Sequence, residues 1–184
     1  MARPTVTPPS KWIEEGLRAL AVGGPDAVRI ETLAQTLGVT KGGFYNYFEG
    51  RTALLDEMLD AWERLVIDQV IARVEEGVDA RAKLRALSTA GTSAGRELME
   101  IELAIRDWAR RDRTVARRLK RIDDRRMDYM RSLFSEICPD EHEVEVRCLI
   151  ALSMFIALPS MAASQGRWRR AELRKDVWER LLEA

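Results

Sequence analysis

Cysteine is scarce. Cys138 and Cys148 are the only two in 184 residues, and they form no C-x-x-C pair. A disulfide scaffold and a thiolate metal knuckle are excluded, and the usage suits the reducing cytosol, so a cytoplasmic location is expected. Burial as small apolar groups is the expected state of both thiols, ahead of a redox switch. Histidine is scarcer still: His142 stands alone between Glu141 and Glu143 and reads as solvated or helix-capping. No His-Glu-x-x-His, phosphate loop or Gly-rich dinucleotide turn occurs. No enzyme, cofactor or metal is therefore expected. Net charge is absent as well, with 30 basic residues against 30 acidic ones, so any nucleic-acid reading must rest on a local site. Residues 1–10 contain no apolar stretch, which argues against a secretory signal. One long uncharged run exists, the 19 residues 148–166, close to a membrane span in length. Ser153, Pro159, Ser160, Ser164, Gln165 and Gly166 dilute it, so it reads as a buried or interface helix and no membrane partner is expected.

What is present is apolar residue at helical spacing. Hydrophobic residues make up 46% of the chain and charged ones 33%, enough for a sizeable core. No run alternates with period two, so the fold is expected to be all-α. Residues 1–9 read as a flexible arm and Ser10 as the cap of a first helix. Ile13, Leu17, Leu20 and Ala21 form its stripe, and Gly23-Gly24-Pro25-Asp26 ends it. Short helices follow over about 30–37 and 41–47. A long stripe from Leu55 to Val70 ends at Gly77. Residues 81–98 read as a helix softened by Gly91 and Gly95, which would permit close approach of a helix or ligand. Leu98, Ile101, Ile105 and Trp108 carry one further stripe. Val115, Leu119, Ile122, Met130, Leu133 and Ile137 carry another, up to Pro139. Residues 144–165 read as one helix, apolar nearly all round, and Leu173, Val177, Trp178 and Leu181 form a last one.

Charge is uneven along the chain. Residues 52–78 carry 2 basic and 7 acidic side chains, and residues 79–126 carry 14 and 8. The densest basic run is Arg110, Arg111, Arg113, Arg117, Arg118, Lys120, Arg121, Arg125 and Arg126. No aromatic or glycine pattern accompanies it. It reads as a solvated helix face paired with Asp112, Asp123 and Asp124, not as a DNA site.

The informative stretch is 29–48. Ile30, Leu33 and Leu37 give the first short helix a buried face, and Ala34 is small where a second helix must cross closely. Gly38 sits where the turn needs a left-handed backbone. Val39 plugs the core beneath it, Thr40 can cap the second helix, and Phe44 with Tyr47 or Phe48 pins that helix inward. Thr40, Lys41, Gly42, Gly43, Tyr45 and Asn46 are left exposed on a helix able to enter a major groove about 12 Å wide. The Thr40 hydroxyl and the free amides beside it suit a phosphate oxygen. Lys41 can reach a phosphate or a guanine edge, and Gly42 and Gly43 let the backbone lie close to the bases. Tyr45 and Tyr47 can donate to phosphates, Asn46 can read a base edge or bond the backbone, and Arg51 can clamp another phosphate. Most of these contacts position the protein on DNA and carry little sequence information.

At these residues the stretch resembles the N-terminal domain of the TetR family of transcriptional regulators. The shared features are Ile30, Leu33-Ala34, Gly38-Val39-Thr40-Lys41-Gly42, Phe44-Tyr45-Asn46-Tyr47-Phe48 and Arg51-x-Ala53-Leu54-Leu55, within a match covering about 10–60. Gly43 departs from the small side chain usual there and removes one base contact, and Arg51 stands where the family usually has Lys. The resemblance implies a helix-turn-helix DNA-binding domain over 10–52 and a helical ligand-binding and dimerisation domain over 53–184. It implies a homodimer on double-stranded operator DNA, most simply a repressor released by a small apolar or amphipathic effector. A weaker similarity to one TetR subgroup runs through Glu102–Ala109 and Asp123–Arg126.

The residues add partial support. Met99, Trp108, Met127, Met130, Phe134, Met154 and Phe155 are flexible or flat apolar groups that suit an adaptable pocket, and each alone also suits an ordinary core. Arg106 and Arg126 lie near apolar stripes. They read as partners of Asp107, Glu102 or Asp123 ahead of an acidic ligand. An all-round apolar helix over 144–165, paired with the last helix and a symmetry mate, would make a four-helix interface. The competing reading is a small-molecule-binding or interaction protein whose helical corner is only structural.

Overall fold

The computed structural model of the chain describes residues 7–93 and 95–183. The expected arm lies mostly outside the described residues, as do the side chains of 91–94, Gly91 among them. All regular structure among the described residues is helical, as the sequence leads one to expect. α1 spans Pro9–Gly23, α2 Ile30–Thr36, α3 Lys41–Tyr45, α4 Arg51–Glu63 and α5 Gln69–Val74. α6 spans Ala80–Ser93, α7 Gly95–Ala109, α8 Arg113–Ser135, α9 Glu141–Ala157 and α10 Arg170–Leu182. Short 3₁₀ turns occupy Pro25–Ala27 and Leu158–Ser160, and a π turn over Arg64–Asp68 joins α4 to α5.

Helix boundaries follow local chemistry, and several differ from the sequence expectation. α1 starts at Pro9, one residue before the expected cap. Proline suits a first helical position because the amide it lacks would have no intrahelical partner, so Ser10 is inside the helix and caps nothing. α9 ends at Ala157 instead of near Gln165. Pro159 has no N–H to donate and its ring crowds the preceding turn, so the chain leaves the helix through a 3₁₀ turn with proline at its start. Asp140 caps α9, its Oδ1 accepting from the backbone N–H of His142 at 2.9 Å and of Glu143 at 3.2 Å.

The chain forms two compact units. The first holds residues up to Val66 together with Arg96–Leu119. Its core is Trp12, Leu17, Leu20, Val28, Leu33, Phe44, Leu54, Met58 and Trp62, joined by Ile101, Ile105 and Val115. α1 packs on α4. Gly16 allows the approach: a Cβ there would stand 2.6 Å from Met58 Sδ.

The second unit holds Ile67–Gly95 and the chain from Lys120 onward. Val74, Leu84, Met130, Leu133, Phe134, Val144, Cys148, Ala151, Trp178, Leu181 and Leu182 form its core. Both cysteines are free thiols. Burial pushes the Cys148 thiol up to about 11, which keeps it protonated and inert near neutrality. The last carbonyls of α10 are satisfied by arginines from elsewhere. Arg147 donates to Leu181 O at 2.9 Å and Glu183 O at 2.8 Å, and Arg81 donates to Leu182 O.

The basic run is paired much as the sequence predicts. Lys120 meets Asp124 at 2.6 Å, Arg126 meets Asp123 at 3.1 Å and Arg125 meets Asp68 at 2.9 Å. Asp112 instead caps α8, accepting from the N–H of Thr114 and Val115. Arg118 pairs with Asp60 on α4.

Candidate nucleic-acid interface

α2 closes with a Schellman turn. Val39 N–H donates to Ala34 O at 2.9 Å and Gly38 N–H to Gln35 O at 3.1 Å, with Gly38 at φ 67°. Gly38→Ala is expected to cost about 1–2 kcal/mol, because a Cβ is strained in the left-handed region. A lowered melting temperature without loss of helical content would register it.

α3 is held from behind by aromatic rings. Phe44 is fully buried, 5.3 Å edge-on from Trp12 and 5.0 Å from Phe48 in a stacked pair. Tyr47 stays exposed, so of the two expected inward pins after Phe44 it is Phe48 that fills the role. The helix ends at Tyr45, two residues earlier than expected. Thr40 occupies the N-cap position, but its side chain makes no capping hydrogen bond. Its hydroxyl therefore remains on the exposed face.

With Phe44 fixed inward, the structure brings Thr40, Lys41, Gly42, Tyr45 and Asn46 together on the open side, with Gly43 half-buried beside them. Tyr45 is 58% exposed. A Cβ at Gly43 would meet nothing within 4 Å and one at Gly42 only Thr40 Oγ1 at 3.7 Å, so packing within the chain does not require either glycine. Their small size leaves room for something outside it.

Two charged residues have partners that the sequence did not reveal. Lys41 pairs with Glu31 of α2, both side chains being more than half exposed. The bond from Lys41 holds the Glu31 carboxyl below the usual carboxylate range. The sign follows: the tie is fully present above the ordinary glutamate pKa and is lost as pH falls through the depressed folded value. Arg51, half-buried, donates from Nε to Val28 O at 2.7 Å and from a terminal nitrogen to Pro25 O. Its guanidinium thus ties the start of α4 to the segment that leads into α2. Trp12 and Val28, both fully buried, are structural supports of this site that the sequence reading passed over.

The seven pocket candidates divide between the units. Met130 and Phe134 sit in the core cluster of the second unit, with Met127 and Met154 packed against it. Phe155 lies under the Arg126 guanidinium, 4.9 Å from ring centroid to Cζ. Met99 and Trp108, half-buried, belong to the first unit. Arg106 pairs with Glu102 and Arg126 with Asp123, as expected from the sequence.

Residues 13–58 match the family described as bacterial regulatory proteins, tetR family. No curated protein matches the chain in sequence. Solved structures share its fold along nearly its whole length. A Saccharomonospora viridis protein in complex with choline superposes with TM-score 0.77 at 16% identity, over 95% of this chain and 94% of that one. FadR from Bacillus subtilis in complex with stearoyl-CoA gives 0.72 at 15%, over 95% and 97%. AibR in complex with isovaleryl coenzyme A and operator DNA gives 0.68 at 18%, over 95% and 97%. At these identities the likeness is one of fold.

Proposed function

We propose, from the TetR-family N-terminal domain that residues 13–58 carry, that this chain is a sequence-specific DNA-binding transcriptional regulator. The observation that carries the reading is α3 itself: Phe44 and Phe48 anchor one side, and Lys41, Gly42, Tyr45 and Asn46 are presented on the other. A helix so held can enter the major groove, with Lys41, Tyr45 and Tyr47 on phosphates, Asn46 on a base edge and the two glycines against the bases. Arg51 supports the site by fixing α2, and its charge adds to the local attraction for phosphate. The purely structural reading of the corner does not account for an exposed tyrosine and two sterically unneeded glycines on one face.

Residues 10–52 are the proposed reading domain and 53–184 the effector and pairing domain. Homodimerisation is supported by α9. Val144, Cys148 and Ala151 are buried while Leu149 is 62% exposed, an apolar side chain left for a second copy to cover. Two copies read half-sites roughly 34 Å apart or a multiple of that. The proposed effector is a small apolar or amphipathic compound that relieves repression, in keeping with the acyl-CoA esters bound by two similarly folded proteins. The protein is read as cytoplasmic and non-catalytic. Among the described residues no helix is long and apolar enough to cross a membrane.

The test is an equilibrium titration with duplex DNA from upstream of its own gene, repeated across salt. Specific binding should appear and should weaken steeply with salt, since each phosphate neutralised releases counterions. No binding, or binding indifferent to salt, would leave only the structural-corner reading.

A further inference from the structure

Glu102 on α7 is a carboxylate with 1% of its surface exposed. Arg106 and Trp62 are among the residues that meet it within the first unit. Arg106, one turn along α7, donates from Nε to Oε1 at 2.9 Å, and a terminal nitrogen lies 2.8 Å from the same oxygen. Trp62 of α4, itself fully buried, donates from Nε1 to Oε2 at 3.1 Å. The ion pair is internal to α7, whereas the Trp62 bond crosses to α4.

α4 is thus tied by polar bonds at both ends. At its start Arg51 holds the carbonyls of Val28 and Pro25, the segment that leads into α2 and α3. Near its end Trp62 is held by Glu102. A helix fixed at two separated points has a fixed axis and a fixed rotation about it. The first unit already has an apolar core to hold α4 in place. Replacing a buried ion pair by apolar residues of similar volume is often neutral or stabilising, so stability alone does not require this one. A directional bond adds to the apolar packing a preference for one rotation of the helix.

We propose that Glu102 is a positioning residue for DNA recognition. By accepting from Trp62 it sets the rotation of α4 and, through Arg51, the presentation of α3. The inference rests on the DNA-binding reading given above.

The test uses the full chain and duplexes that the parent selects from a randomised pool. Two quantities are read for each variant: the melting temperature, and the ratio of affinities for a selected duplex and a scrambled one. Glu102→Met combined with Arg106→Leu removes the ion pair but leaves the buried Trp62 N–H without its acceptor, so it should melt below the parent while still folding, and its ratio should fall at least tenfold. Trp62→Phe keeps a ring in place but removes the donor, and its ratio should fall likewise. Glu102→Gln keeps an acceptor for Trp62 and should hold the ratio within about threefold of the parent. A purely structural role would move the melting temperature and leave the ratio alone. Folded Trp62→Phe with the parent's ratio overturns the proposal, whether or not the double variant folds. A parent that selects no duplex at all defeats the DNA-binding reading itself, a different and recognisable failure.

Discussion

Phe44→Ala is expected to destabilise the first unit by about 3–5 kcal/mol, the range for truncating a buried phenylalanine. Phe44 has no exposed surface and touches three other rings, Trp12 and Tyr45 edge-on at 5.3 Å each and Phe48 at 5.0 Å. Aromatic pairs of this kind add about 0.5–1.5 kcal/mol beyond the area they bury. α3 has only five residues. An isolated helix of that length has no stability of its own, so packing through Phe44 is what keeps it helical. Thermal or urea unfolding measures the loss directly. Tyr45→Ala, one residue on and 58% exposed, loses only an edge contact with Phe44 and serves as the contrast, with an expected loss of no more than about 1.5 kcal/mol. Equal losses for the two would mean that α3 is not anchored through Phe44.

Met130→Asp should have an effect at least as large on the second unit. From the sequence alone, Met130 suggests a place where a charge would abolish an effector response and spare DNA binding. The structure gives a different expectation. Met130 is 5% exposed within the cluster of Leu133, Phe134, Val144, Cys148 and Trp178. A carboxylate placed there would sit among these apolar side chains, and its burial should cost more than about 4 kcal/mol, enough to unfold a marginally stable unit. Loss of near-UV dichroism and a lowered or absent melting transition are the expected readouts. Met130→Leu, which conserves volume, should cost less than about 1.5 kcal/mol. A folded aspartate variant of near-parent stability would show that this position faces water or a wet cavity.

Legibility followed range along the chain. The α2–turn–α3 corner could be read in advance because its determinants are local: Gly38 for a positive φ, Ala34 for a close crossing, and aromatics spaced to leave one face of α3 open. In the first helix Leu17 and Leu20 are buried as expected, but the buried face also takes Trp12 and Gly16, while Ile13 and Ala21 are only half-buried. A glycine gives no hydrophobic signal, and Gly16 is buried because Met58 presses on it. The polar contacts that tie α4 are between residues distant in the chain. Arg51 reaches carbonyls 23 and 26 residues away, and Trp62 reaches Glu102 across 40. Periodicity cannot report a bond between helices. In the sequence Arg51 therefore reads as a phosphate ligand, and its backbone-carbonyl partners within the chain become visible only in the fold. The early end of α9 was a local matter, and Pro159 carried that information, but the unbroken uncharged run masked it.

The most direct measurement of the central claim is a DNA titration of Lys41→Ala combined with Tyr45→Phe against the parent, at matched ionic strengths. Both side chains are exposed, and Tyr45→Phe keeps the ring that meets Phe44 edge-on, so the melting temperature should stay close to that of the parent. The account predicts at least a tenfold loss of affinity for the duplex the parent selects. It also predicts a shallower salt dependence, by about 0.9 in the log–log slope for each phosphate contact removed. A variant that folds, binds the same duplex with parental affinity and keeps the parental slope would contradict the assignment of α3 as the reading helix.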